Sequence, residues 1–162
     1  MIPLNRRQFT VAGAVLAAAG FASRGARAET FEVVRSDEEW RRLLTPAQYA
    51  VLRKANTERA GSSPLDREKR AGTFYCAGCE LPLFASTTKF DSGTGWPSFW
   101  QPLQGAVGTR EETFLFVKQT EVHCSRCGGH LGHVFNDGPK PTGQRYCMNG
   151  VAMTFKPGAA RS

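Results

Sequence analysis

The sequence predicts an α+β domain with a mainly antiparallel β body and short helices at its N-terminal end. Three observations predict it. Residues 29–60 carry helix-start signals and apolar residues at helical spacing. From Gly72 onward, short runs of β-branched and aromatic residues alternate with Gly, Pro and Asp turns. Two Cys-x-x-Cys units, Cys76 with Cys79 and Cys124 with Cys127, stand far apart within that β region. The 162 residues allow one ordinary domain with a short appendage. A hydrophobic share of 41% with 22% charged residues is globular and excludes a disordered chain. No apolar run approaches the roughly 20 residues of an ordinary membrane-spanning helix.

The chain opens with Arg6-Arg7-Gln8-Phe9, then a modest apolar run over residues 11–22, then Ala26-Arg27-Ala28. A basic start, an apolar stretch and an A-x-A site describe a secretory signal cut after Ala28. The paired arginines resemble a twin-arginine export signal, and the weak hydrophobicity of the Ala- and Gly-rich run suits that route. The competing reading is an amphipathic helix or a retained anchor, and the position of the A-x-A site argues against both. The expectation is a signal over residues 1–28 and one domain over residues 29–162, working in a bacterial periplasm, an oxidising compartment. This changes the charge argument. The chain has 21 Lys and Arg against 14 Asp and Glu, a formal +7. Residues 1–28 hold four of the arginines and no acid, so residues 29–162 keep 17 basic against 14 acidic residues, a net +3. Basicity then ceases to argue for nucleic acid, and a membrane enters only for export.

Ser36 and Glu39 fit a capping box in front of Trp40, Leu43 and Leu44, which starts a first helix. Thr45, Pro46 and Gln48 offer a second start with proline at the first helical position, continued by Tyr49, Leu52 and Arg53. Gly61-Ser-Ser-Pro64 is a break. Beyond it, residues 73–76, 113–117, 130–135, 145–147 and 151–155 read as strands.

The two Cys-x-x-Cys units carry glycine within or just after each turn, at Gly78 and at Gly128 and Gly129. A tight turn brings two thiolates to one ion, and two turns complete a tetrahedral four-cysteine zinc site at about 2.3 Å per sulfur. Cys76, Cys79, Cys124 and Cys127 are therefore expected to hold one structural Zn2+ per chain, clamping two distant segments and coupling folding to the metal. A periplasmic Cys-x-x-Cys is otherwise a redox pair, but here it comes in two copies without the βαβ context. His123, His130 and His133 are surplus as ligands if all four cysteines bind.

Cys147 is the fifth cysteine, and the odd count sets it apart. Its bland reading is a small buried hydrophobe. Along a strand, however, Arg145, Cys147 and Asn149 share one face, with Tyr146 and Met148 on the other. An arginine beside a thiol lowers its pKa, and Asn149 can donate a hydrogen bond to it, so Cys147 reads as a nucleophile. His133 and Asp137 lie in a Gly-His-Val-Phe-Asn-Asp-Gly stretch that is strong turn chemistry, and a histidine near a nucleophilic cysteine can serve as proton donor or base. Trp96 belongs to a Gly/Pro loop over residues 91–100 that holds two tryptophans and a phenylalanine. That loop is either a hydrophobic plug or an aromatic wall for an apolar group such as a methyl on sulfur.

Taken in order, Cys76-x-x-Cys79, Phe90-Asp-Ser-Gly-Thr-Gly-Trp-Pro-Ser-Phe99, His123-Cys-x-x-Cys-Gly-Gly-His-Leu-Gly-His-Val-Phe-x-Asp-Gly-Pro139 and Arg145-Tyr-Cys-Met-Asn149 resemble the methionine-R-sulfoxide reductase B family. The likeness runs over residues 35–157. It implies two small antiparallel sheets with short N-terminal helices, stabilised by a zinc site of four cysteines. It implies reduction of methionine-R-sulfoxide, free or in peptides and proteins, one reductase family serving each epimer. Position by position, Cys147 matches the catalytic cysteine, and Cys76, Cys79, Cys124 and Cys127 match the zinc ligands. Trp96 matches the tryptophan that packs on the substrate methyl, while His130, His133, Asp137, Arg145 and Asn149 match the polar active-site set.

One departure bears on mechanism. Many members carry a recycling cysteine where this chain has Thr94. Four cysteines for zinc and one for chemistry exhaust the five, so a sulfenic acid at Cys147 is expected to be reduced by a thioredoxin-like or other external thiol, without an internal catalytic disulfide. The protein is expected to act as a monomer. The alternatives are an exported zinc-stabilised dithiol-exchange protein and a zinc-stabilised binding module.

Overall fold

The computed structural model describes residues 29–114 and 116–159, with the Phe114 side chain set aside. The export signal expected over residues 1–28 lies outside them. Among the described residues two short α-helices come first, α1 (Asp37–Leu43) and α2 (Pro46–Lys54). Both start with the capping boxes that the sequence predicts: Ser36 with Glu39, and Thr45 with Gln48. Each cap side chain satisfies an N–H that the helix itself cannot reach. Ala55, at a left-handed φ of 52°, ends α2 by returning its N–H to the last turn.

Among the described residues nine strands follow: β1 (Gly72–Cys76), β2 (Pro82–Ala85), β3 (Lys89–Phe90), β4 (Ser98–Phe99), β5 (Val107–Phe114), β6 (Val117–Cys124), β7 (His130–Phe135), β8 (Arg145–Met148) and β9 (Met153–Pro157). They form two antiparallel sheets, one in the order β2-β1-β9 and the other β3-β4-β8-β7-β6-β5. An aromatic stack joins the sheets. Phe84 of β2 lies flat on Phe99 of β4 at 4.3 Å between centroids, and Phe74 of β1 meets Phe99 edge-on at 4.9 Å. All three are fully buried, as are Leu83, Val122, Leu131 and Met148. Burial of each such side chain contributes about 1.5–3 kcal/mol.

Two strand expectations need correction. Residues 113–117 do not form one strand. Phe114 pairs with Val117, and the chain reverses between β5 and β6 through Phe116, at a left-handed φ of 69°. The β-branched and aromatic run straddles a hairpin reversal that lacks the usual Asn-Gly signal. Residues 151–155 also divide. Gly150–Ala152 is a 3-10 turn, and the strand starts only at Met153.

Candidate active site and metal centre

The register of the larger sheet assembles the site. β8 runs between β4 and β7, so Cys147 stands opposite Ser98 on one side and His133 on the other. His133 in turn faces Glu121, which faces Arg110. Directly paired residues share a face of the sheet. Arg110, Glu121, His133, Cys147 and Ser98 therefore form one transverse row that no single segment reveals.

Above that row lies a cavity of about 480 Å³ whose lining includes Trp96, Glu112, Gln119, His133, Cys147 and Asn149. The loop before β4 closes one side. Asp91 accepts from the Gly93 N–H at 2.9 Å, and Gly93 and Gly95 take φ values of 70° and 87° that suit glycine. The turn brings the Thr94 hydroxyl to 3.9 Å from the Cys147 sulfur. Behind it, the Ser92 hydroxyl lies 2.8 Å from that of Thr94 and 2.7 Å from that of Ser98. The Trp96 indole N–H donates to the Glu58 carbonyl at 3.1 Å, which fixes the ring at the wall.

His133 Nε2 and Glu112 Oε1 are 2.7 Å apart. A carboxylate only accepts, so this ring nitrogen carries the hydrogen. His130 differs from its expected position. It is buried, with Nδ1 2.9 Å from Glu121 Oε1 and Nε2 without a partner among the described residues. It is absent from the cavity lining and sits 5.4 Å, ring to ring, from His133. Asn149 reaches the cavity, but its amide is committed elsewhere. Nδ2 donates to the Leu131 carbonyl at 3.0 Å, and Oδ1 accepts from the Glu58 N–H at 2.9 Å. The expected hydrogen bond from Asn149 to the thiol is thus replaced by two bonds to backbone.

Arg145 and Asp137 line an adjoining hollow of about 410 Å³ that shares Thr94 with the thiol's surroundings. The Arg145 guanidinium makes a two-pronged pair with Asp137, both contacts at 2.8 Å, and lies over the Phe135 ring at 4.4 Å. That pairing holds the Asp137 carboxyl below its usual range. For Cys147 the outcome reverses the expectation from sequence. Burial pushes the thiol up, and the Thr94 hydroxyl, the Arg145 charge and the Ser98 hydroxyl offset only part of it. Sequence reasoning overlooked Glu58, Glu112, Gln119 and Glu121. No local motif marks them, since each acts through partners set by sheet register or by long-range contact.

The candidate metal centre, the cluster of Cys76, Cys79, Cys124 and Cys127, lies where the two sheets approach. β1 ends on Cys76 and β6 ends on Cys124, each followed by the same tight turn. The Glu80 N–H returns to the Cys76 carbonyl at 2.8 Å, and the Gly128 N–H to the Cys124 carbonyl at 2.9 Å. Glycine takes the left-handed position in the second turn only; Glu80, at φ 56°, takes it in the first. The helices seal the turns: a Cβ at Gly78 would stand 3.6 Å from both Trp40 and Leu52, and Arg53 donates to the Cys127 carbonyl at 3.1 Å. The four sulfurs all lie within 4.8 Å of one another, with Cys76 to Cys127 at 3.7 Å and Cys79 to Cys124 at 3.5 Å. Sulfurs about 2.3 Å from a tetrahedral ion would stand about 3.8 Å apart, so the four fit a metal ion. Their acidities diverge. The neighbouring thiols, Cys127 first, hold Cys124 below the ordinary range, and the Cys124 sulfur drives Cys76 far above it. A cation relieves such competition for charge.

A SelR domain matches residues 44–157. The chain is 50% identical over 127 residues to the peptide methionine sulfoxide reductase MsrB of Leptospira interrogans, covering 78% of this chain and 97% of that one. It is 54% identical over 125 residues to MsrB of Methanosarcina barkeri, covering 76% and 88%. It is 52% identical over 127 residues to MsrB of Bradyrhizobium diazoefficiens, covering 78% and 91%. A domain match that takes in both cysteine pairs and Cys147, joined to half identity across most of each relative, means that the chain belongs to the SelR-domain family of the MsrB proteins.

Proposed function

We propose that the protein reduces methionine-R-sulfoxide, free or within peptides and proteins, with Cys147 as nucleophile. The single observation that carries this reading is Cys147 in one cavity with Trp96 and the hydrogen-bonded pair His133 and Glu112. The substrate methyl rests on the Trp96 ring and presents its sulfur to the Cys147 sulfur. As the thiolate attacks, charge builds on the sulfoxide oxygen, and the proton held between His133 and Glu112 neutralises it. The oxygen passes to the cysteine. A thiol and a sulfoxide become a sulfenic acid and a thioether, so methionine is reduced as Cys147 is oxidised. One external thiol converts the sulfenic acid to a mixed disulfide and releases water. A second external thiol frees Cys147 and leaves as the oxidised disulfide. The Thr94 hydroxyl stands 3.9 Å from the sulfur and Ser98 faces Cys147 across the sheet, and neither hydroxyl can form a disulfide.

Cys76, Cys79, Cys124 and Cys127 would hold the ion, which we take to be zinc; bound there it supplies a structural cross-link and no chemistry. Arg145, steadied by Asp137, biases Cys147 toward the thiolate. Asn149 holds the turn that follows Cys147. His130, paired with Glu121 and stacked edge-on to His133, supports the ring above it. The twin-arginine-like start of the chain supports export to the periplasm, where a thioredoxin-like protein or another thiol supplies electrons to a monomeric enzyme.

An epimer-resolved assay on a methionine sulfoxide peptide with dithiothreitol tests the proposal, with metal measured on the same sample. The R epimer should turn over and the S epimer should not. Cys147→Ser should abolish turnover while keeping one zinc per chain. Turnover that survives in Cys147→Ser, or follows the S epimer, would sink the reading. Activity lost only in Cys-x-x-Cys variants of a metal-free protein would point to dithiol exchange instead.

A further inference from the structure

Glu58 belongs to no motif, yet it meets the site at three points. Its carbonyl accepts the Trp96 indole N–H at 3.1 Å, and its N–H donates to the Asn149 side chain at 2.9 Å. Its carboxylate receives the N–H groups of Gly150 at 2.6 Å and Val151 at 2.9 Å. These two belong to the 3-10 turn just after β8, whose cap residue Asn149 makes no side-chain bond to it. Their N–H groups are orphans of a helix start, and the carboxylate of a residue 92 positions away satisfies them. The contact is close: a Cβ on Gly150 would stand 2.1 Å from the Ser63 hydroxyl. The same segment also grips the tryptophan loop, since the Gly61 N–H donates to the Gly95 carbonyl at 2.7 Å.

We infer that Glu58 is a positioning residue that fixes the Trp96 wall and the turn after Cys147 as one unit. The inference rests on the reductase reading for its catalytic consequence, though not for its structural one. The carboxylate anchors the segment to the turn, and the anchored backbone then presents a carbonyl to the indole and an N–H to Asn149. Without the carboxylate, the segment loses its tie to Gly150 and Val151. Trp96 then keeps an acceptor whose place is no longer set. A wall displaced by a fraction of an ångström weakens contact with the substrate methyl before it affects chemistry at sulfur.

The test compares the wild type with Glu58→Ala and Glu58→Gln in folded, metal-loaded protein. Hydrogen exchange at the Trp96 indole N–H is read by nuclear magnetic resonance, the signal being assigned with Trp96→Phe. Steady-state kinetics are measured on an R-sulfoxide peptide. In Glu58→Ala, indole exchange should speed by about tenfold and KM should rise by about tenfold, with kcat falling less. Glu58→Gln keeps one acceptor oxygen and should lie between the two. A purely structural residue would lower the melting temperature and leave the KM of folded protein alone. Folded Glu58→Ala with wild-type indole exchange and KM overturns the inference. Where Glu58→Ala does not fold, wild-type values in Glu58→Gln overturn it equally. The exchange readout needs no turnover, so failure of the reductase reading leaves it intact.

Discussion

At the Cys147 sulfur, burial opposes ionisation while Thr94, Arg145 and Ser98 favour it, and burial prevails. Arg145 favours the thiolate through its charge while Nε and Nη2 of its guanidinium bind Asp137. In the free enzyme at neutral pH the thiol form therefore dominates, and the thiolate fraction grows only as pH rises. Site-specific alkylation of Cys147 by iodoacetamide, followed by mass spectrometry, should show a midpoint above the roughly 8.5 of free cysteine. Arg145→Gln removes a charge that favours the thiolate and should move the midpoint higher still. A wild-type midpoint at or below that of free cysteine would contradict the account. The strand alternation that puts Arg145 and Cys147 on one face was legible in sequence, because it is a property of neighbouring residues. The sign of the shift was not. It depends on how deep β8 lies between β4 and β7, and on Asp137 engaging the guanidinium, and neither has a local signature.

Helices of seven and nine residues do not persist alone in water, so α1 and α2 depend on their caps and on what they cover. Both capping boxes were legible because each is complete within four residues. The fit of Trp40 and Leu52 over Gly78 was not, since it needs the cysteine turns in place. Asp37 joins the helices: its carboxylate accepts from the Tyr49 hydroxyl of α2 and from Arg41 at 2.7 Å, and its pKa falls to about 2. A depressed carboxyl pKa gives stability that is present above the ordinary value of 3.8 and fades as pH falls through about 2. Asp37→Asn should therefore lower the melting temperature at pH 6, and the gap from wild type should close as pH approaches 2. A gap that stays constant across that range would show that charge on Asp37 does not matter to the helix pair. The β5–β6 hairpin is the complementary case. Residues 113–117 have strand composition, but a chain reversal is decided by the pairing of Phe114 with Val117, and composition is blind to pairing.

Across the molecule, the four-cysteine cluster and the aromatic stack are two places where the sheets are tied. The cluster joins the end of β1 in the smaller sheet to the end of β6 in the larger. The paired Cys-x-x-Cys pattern made this tie legible from sequence, since its chemistry needs only spacing. The cavity was harder to foresee. Its walls come from the chain after α2, the loop before β4, and strands β5 to β8, brought together by a register that no one segment encodes. The tie spans 51 residues from Cys76 to Cys127. Closing a loop of that length costs the chain about 3–4 kcal/mol of conformational entropy, which the ion offsets on binding. Releasing the ion restores that opposition and leaves four thiols crowded within 4.8 Å of one another. For a domain of this size each kcal/mol is worth roughly 3–4 °C, so chelation should lower the melting temperature by about 10 °C or more. Cys76→Ser should reproduce the loss as misfolding, because that side chain is fully buried and serves both the cluster and the core. The measurement is scanning calorimetry before and after chelation, with any released metal identified and quantified by elemental analysis. A melting temperature unchanged after full release, or a folded, metal-free Cys76→Ser protein that is merely slower, would deny the cluster its structural role and turn attention back to electron exchange by these thiols.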